Sequence, residues 1–185
     1  QRLDHRAATW QVDGEAFDAV VLACPAPEAA RLARAANAGW SRMADGLAFE
    51  AIATVYVTGG PRLPLPMLAL RAGPDAPAQF VFDRSQLGGP AGLLAFVVSA
   101  SEREREAIEQ QVLLQARSLG WNVQPLQTVV EKRATFACTP GLQRPGLAIA
   151  PGLWACGDYV DGPYPATLEG AVRAGLEAAK QVGLA

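Results

Sequence analysis

LWACGDYVDGPYPATLEGAVRAG, Leu153–Gly175, places an apolar strand, an abrupt Gly-Asp turn, a proline-rich loop and a helix opening at 166–170 in immediate succession. A strand ending in Gly157-Asp158 just ahead of a helix start sets a carboxylate beside a row of unpaired backbone N–H groups, next to a small residue that lets another molecule come close. Gly157 offers backbone that a side chain would obstruct. Asp158, when ionised, only accepts hydrogen bonds, which suits hydroxyl or water-bridged contacts and argues against direct contact with phosphate. The helix starting near Thr167 carries a partial positive charge that favours an electron-rich carbonyl or an anion. Its small residues Gly170, Ala171, Ala174 and Gly175 leave room for a flat ring system. The arrangement suits a large polar cofactor. Spacing alone is as compatible with a buried strand, a turn and a capped helix that hold no cofactor, because Gly-Asp is a common turn dipeptide.

Working outward from this corner, Thr9–Val12, Asp13-Gly14 and Ala16–Ala23 read as a hairpin whose second strand is apolar enough to be buried on both faces. Pro25 and Pro27 stop it, and 27–38 reads as a helix with proline at its start. Residues 40–45 read as a further short helix or turn. Phe49–Thr58 alternates and is rich in β-branched residues, so it is expected as a strand. Gly59–Pro66 reads as a loop. Stretches 67–71, 79–83 and 93–99 complete an antiparallel sheet. Ser101 is expected to cap a helix running to Leu119 and ending at Gly120, with the charge run Glu102–Glu106 as its solvated face. Stretches 123–137 and 152–156 read as the strands that lead back to the Gly-Asp corner.

Half of the 185 residues are hydrophobic and 18% are charged, a globular balance, and the net charge of −2 leaves no electrostatic footprint for nucleic acid. The apolar runs are far shorter than the roughly 20 residues of a membrane-spanning helix. Cys24, Cys138 and Cys156 have no metal-site or redox spacing and are expected as buried reduced thiols, so no metal is expected. His5, the only histidine, lies in a polar leader expected to fray, which leaves a Ser-His-Asp device unsupported.

The corner resembles the C-terminal flavin-contact motif of the FAD-dependent amine oxidase and carotenoid desaturase superfamily. QFVFDRSQLGGPAGLLAFVVSAS (Gln79–Ser101), RATFACTPGLQRP (Arg133–Pro145) and DYVDGPYPATLEGAVRAG (Asp158–Gly175) together resemble the squalene-associated FAD-dependent desaturases, understood as hydroxysqualene dehydroxylases. The resemblance implies an α+β and α/β chain: an antiparallel-sheet substrate domain with helices, plus the C-terminal remnant of a Rossmann-like FAD-binding domain. Its divisions are a hairpin, strand and linker helix of the FAD domain over 1–45, the substrate domain over 46–132 and the C-terminal FAD segment over 133–185. By position, cofactor contact falls to Gly157, Asp158, Thr167, Leu168 and Glu169. Members of the superfamily open with a Gly-x-Gly-x-x-Gly turn, and no such run occurs in this chain. The expectation is therefore an incomplete FAD site, weak flavin binding or none by the chain alone, no activity of the chain by itself, and a partner in the missing N-terminal half.

The reaction implied is reductive removal of the allylic hydroxyl of hydroxysqualene to give squalene, a step towards hopanoids, with the leaving-group acid unassigned. An isoprenoid needs a long apolar groove, since each buried methylene gains roughly 0.8 kcal/mol. Val55, Val57, Phe80, Phe82 and Phe96 are candidates for its lining, and Asp83 for a polar group at its edge. Ordinary core packing, and a surface salt bridge for Asp83-Arg84, are the competing readings. Tyr159 and Tyr164 flank the corner, and either can stack on the flavin or pack. The rival functions are a carotenoid desaturase, a flavin amine oxidase fragment and a non-catalytic module binding an apolar ligand. A cytoplasmic setting is expected, with peripheral contact at the inner membrane face and self-association of the isolated chain left open.

Overall fold

A computed structural model describes residues 1–6, 9–101 and 104–183. The chain divides into two compact units, 1–48 with 136–185 and, inserted between them, 49–135.

The first unit begins with three antiparallel strands, β1 (Leu3–Arg6), β2 (Thr9–Val12) and β3 (Glu15–Phe17), in that order. The Asp13-Gly14 turn forms as expected, but the run after it does not continue as one strand. It breaks at residues 18 and 19, and β4 (Val20–Leu22) joins a different sheet. His5 does not fray: it sits in β1 opposite Trp10, with ring centroids 4.5 Å apart. The Trp10 indole is buried and donates to the Pro151 carbonyl at 3.0 Å.

The expected helix over 27–38 stops early as α1 (Ala26–Ala33), and the short helix expected over 40–45 forms as α2 (Ala38–Asp45). Asn37 divides them because its side chain accepts from the Trp40 amide at 2.9 Å, capping a new helix instead of continuing the old one. The Asn37 side-chain NH2 donates to the Ile149 carbonyl, and the Trp40 indole to the Gly146 carbonyl, which seats the pair beside β10 (Ala148–Ala150). β10 pairs antiparallel with β11 (Leu153–Ala155), and β11 runs parallel to β4 in the register Leu153↔Val20, Ala155↔Leu22. Helix α4 (Leu168–Gly183) follows the Gly-Asp corner.

The second unit is a five-stranded sheet in the order β6-β7-β8-β5-β9, built from β5 (Phe49–Thr58), β6 (Met67–Ala69), β7 (Phe80–Asp83), β8 (Leu94–Ser99) and β9 (Gln124–Phe136), with the β6/β7, β7/β8 and β5/β8 pairs antiparallel. Helix α3 (Arg105–Ser118) presents Ile108, Val112 and Ala116, spaced four apart, to the core. It starts after Glu104 rather than at Ser101. Glu102 and Arg103, part of the expected charged face, lie outside the described residues. Alternation along the strands turns Ala53, Val55 and Val57 of β5, Val81 of β7 and Leu94, Phe96 and Val98 of β8 into the same core. Gln115 of α3 ties helix to sheet by giving its amide to the Ala78 carbonyl and accepting from the Ala78 N–H, at 3.0 and 2.9 Å.

Candidate functional site: the Gly-Asp corner and an open sheet face

Strand β11 ends where the Cys156 N–H donates to the Leu22 carbonyl, so the corner begins at the carboxyl end of the parallel pair. Gly157 has φ +155°, and a β-carbon there would lie 2.6 Å from the Tyr159 ring. The close approach this glycine permits is made by the chain's own tyrosine. Tyr159 is 3% exposed, its hydroxyl has no partner among the described residues, and burial pushes that hydroxyl's pKa up, so it stays a neutral phenol. Of the two corner tyrosines, Tyr159 packs and Tyr164 stands in the open.

The loop between turn and helix is fixed at several points. Arg144 donates to the carbonyls of Val160 and Gly162 and pairs with Asp161 at 3.3 Å. The Ala166 N–H reaches back to the Asp158 carbonyl at 3.4 Å, bringing the Gly-Asp turn beside the helix start. Tyr164 and Ala166 both hold left-handed backbone, φ +59° and +56°, a conformation that persists in such residues only where the surroundings impose it.

Thr167 has a different task from the one expected. Its hydroxyl donates to the Tyr164 carbonyl at 2.7 Å and accepts from the Gly170 N–H at 3.0 Å, so it caps α4. The amides of Leu168 and Glu169 remain without an acceptor among the described residues, as does the half-buried Asp158 carboxylate without a donor. The Glu169 side chain pairs with Arg173 at 2.6 Å, which raises the Arg173 pKa, and the guanidinium lies over the Tyr164 ring at 5.0 Å. A groove of about 530 Å³ runs along Val160–Pro163 and one side of α4; Glu169 lines it, whereas Gly157, Asp158, Thr167 and Leu168 do not.

The six substrate-lining candidates separate into three groups. Val55, Val57 and Phe96 are fully buried in the closed core of the second unit, so they pack and do not line a groove. Asp83 is 1% exposed and makes no salt bridge among the described residues. It accepts from the Leu63 and Ser85 amides, the Ser85 hydroxyl and the Gln86 side chain, and those donors hold its carboxyl well below the usual carboxylate range. It is a clamp, not a polar group for a ligand. Phe80 and Phe82 stand on the other face of the sheet. There the registers give two cross-strand rows, Met67–Phe82–Ala95–Tyr56 and Ala69–Phe80–Val97–Thr54, with no charge in either. Apart from Ala95 these residues are half-buried or exposed. Met67, Tyr56 and Val97 escaped the sequence reading, although strand parity with Phe80 and Phe82 signals them once the register is known.

A search against protein families matches residues 2–183 to the flavin-containing amine oxidoreductases. The chain belongs to this family. Hydroxysqualene dehydroxylase of Rhodopseudomonas palustris is 30% identical over 175 residues, covering 89% of this chain and 38% of that protein. An oxidoreductase from Methanosarcina mazei has the same fold at 16% identity and a TM-score of 0.66, over 95% of this chain and 48% of that one. A Pyrococcus furiosus protein follows at 15% identity and 0.64, over 93% and 43%. The chain thus spans less than half the length of each relative.

As a flavin-containing amine oxidoreductase the chain is expected to serve a flavin, and its corner fits the polar part of such a group. Two amides at the start of α4 and the Asp158 carboxylate have no partner among the described residues, and the Ala166–Asp158 backbone bond brings the segments that carry them together. Gly157 fits less directly, since the Tyr159 ring occupies the space its missing side chain leaves. The thiols lie elsewhere than expected: Cys24 and Cys156 are half-buried, with their pKa raised by burial, and Cys138 is exposed. No helix of the described residues is long and apolar enough to cross a membrane.

Proposed function

We propose that the chain is the C-terminal portion of an FAD-dependent oxidoreductase that removes the allylic hydroxyl of hydroxysqualene to give squalene. The observation that carries the substrate assignment is the pair of uncharged rows on the open face of the second unit, apolar or aromatic but for Thr54, with the exposed Glu50 four residues along β5 from Thr54 as the charge at their margin. An amine needs a counter-charge or a polar anchor, whereas a C30 hydrocarbon chain needs only area. The 30% identical relative bears the name of the same reaction.

In this reading the Leu168 and Glu169 amides and the Asp158 carboxylate hold polar groups of FAD, while Thr167 acts indirectly by fixing the helix start. Bound and reduced, FAD supplies the hydride that replaces the hydroxyl. The chain's own residues exclude water through Phe80, Phe82 and Val97 and align the hydrocarbon along the sheet. The hydroxyl leaves as water only with a proton, and Asp83 does not deliver it because four donors keep that carboxylate ionised and turned inward. The partner proposed is the nucleotide-binding half of the enzyme. Among the described strands β4 has β11 on one side and no strand on the other, which leaves an edge for it to extend.

The chain combined with that half, FAD and dithionite should convert hydroxysqualene to squalene. Stoichiometric flavin uptake without squalene would sink the substrate assignment and leave the cofactor standing. No flavin uptake would sink both.

A further inference from the structure

Three large apolar side chains of the second unit point outward from two neighbouring stretches: Leu65 at 58% exposure, Met67 at 46% and Leu87 at 48%. Their backbone is held. Leu63 donates its amide to Asp83, Gln86 reaches from the short 3-10 turn Arg84–Leu87 to the Leu63 carbonyl at 2.8 Å, and the Asp83 amide donates to the Pro66 carbonyl at 2.9 Å. A buried carboxylate is thus spent on lacing a proline-rich surface loop to a turn, and the lacing keeps leucines in water. Burying an ion is costly, so a fold that does so to fix exposed leucines is holding them for a surface.

The charges around the stretches identify that surface. Between Gly59 and Leu93 the basic residues are Arg62, Arg71 and Arg84, none of them in an ion pair among the described residues. The acidic residues are Asp75 and the buried Asp83. We infer that the loop Pro61–Met67 and the turn Arg84–Leu87 dock on the surface of an anionic lipid bilayer, with Leu65, Met67 and Leu87 entering the acyl boundary and the arginines meeting the headgroups. A second copy of the chain is the poorer occupant, because face-to-face pairing brings the arginines of both copies together. The inference stands on the second unit alone and does not need the flavin.

Sedimentation of the full chain with vesicles tests it. Vesicles of phosphatidylcholine mixed with phosphatidylglycerol should carry the chain down, and added salt should release it. The double variant Leu65→Ser/Leu87→Ser should bind at least about tenfold more weakly, with an unchanged thermal midpoint because both side chains are exposed. Arg62→Gln/Arg84→Gln should lose about thirtyfold on the mixed vesicles and nothing on phosphatidylcholine alone. Wild-type chain left in the supernatant, or variants that bind as it does, overturn the inference. So does a concentration-dependent dimer that Leu65→Ser abolishes, which would assign the patch to a second copy. Absorbance of bound FAD, read separately, shows whether the flavin assignment survives either result.

Discussion

At Gly170 a β-carbon would run into the Tyr164 carbonyl oxygen, whereas at Gly175, one and a half turns further along α4, it would meet nothing within 4 Å. The two glycines therefore answer opposite purposes, although both belong to the small-residue series that suggested room for a ring. Gly170→Ala should destabilise the first unit by about 1–3 kcal/mol through overpacking, and Gly175→Ala should stabilise it by up to about 1 kcal/mol, as read from urea unfolding. Thr167 and Glu169 show what residue types alone conceal. Both were named for the cofactor, and the structure gives one to capping and the other to Arg173. Asp83 was equally opaque, since nothing in Asp83-Arg84 shows that the aspartate turns inward to four neutral donors. Its pKa is lowered in the folded chain, so its contribution to stability is fully present above the unfolded value of about 3.9 and is lost as pH falls through the lower folded value. Asp83→Asn should accordingly lower the urea midpoint at pH 7, and the gap to wild type should begin to narrow below about pH 4.

Whole elements were easier to read than single side chains, because a strand or helix averages many residues. Phe49–Thr58 is a strand over its whole expected length, and 93–99 and 123–137 differ from β8 and β9 by one residue at their ends. Two failures share a cause. The apolar run 16–23 gives no sign that it changes sheets after Phe17, and 27–38 gives no sign that Asn37 will reach Ile149. In each case a partner distant in sequence decides. The two faces of the sheet were illegible for the same reason: Val55 and Phe82 are both apolar strand residues, and only the register, with α3 covering one face, closes one side and leaves the other open. The lock between α3 and the sheet is accessible to test. Gln115→Ala removes both partners of the Ala78 peptide in a buried setting and should cost about 1–3 kcal/mol, while Gln115→Glu should be worse at neutral pH, because a carboxylate cannot donate to the Ala78 carbonyl.

At the scale of the molecule, the chain leaves the first unit after Ala48 and re-enters it at Phe136, and the Ala137 N–H donates to the Ala48 carbonyl at 2.9 Å. Exit and return therefore lie side by side, the arrangement expected of a domain inserted into a loop of another. Each unit also has its own core. The second gathers Val55, Phe96, Ile108 and their neighbours between one sheet face and α3, and the first buries Trp10, Trp40, Leu153 and Tyr159. Residues 49–135 made as a separate chain should fold cooperatively, with dispersed amide resonances and a single thermal transition. Phe96→Ala in that chain should lower its stability by about 3–5 kcal/mol. A collapsed chain without dispersed resonances would show that the sheet draws essential support from outside its own boundaries. If instead the separate chain folds, the open face carrying Phe80 and Phe82 is a surface the unit sustains unaided, and its binding of apolar ligands can be measured without flavin or the rest of the enzyme.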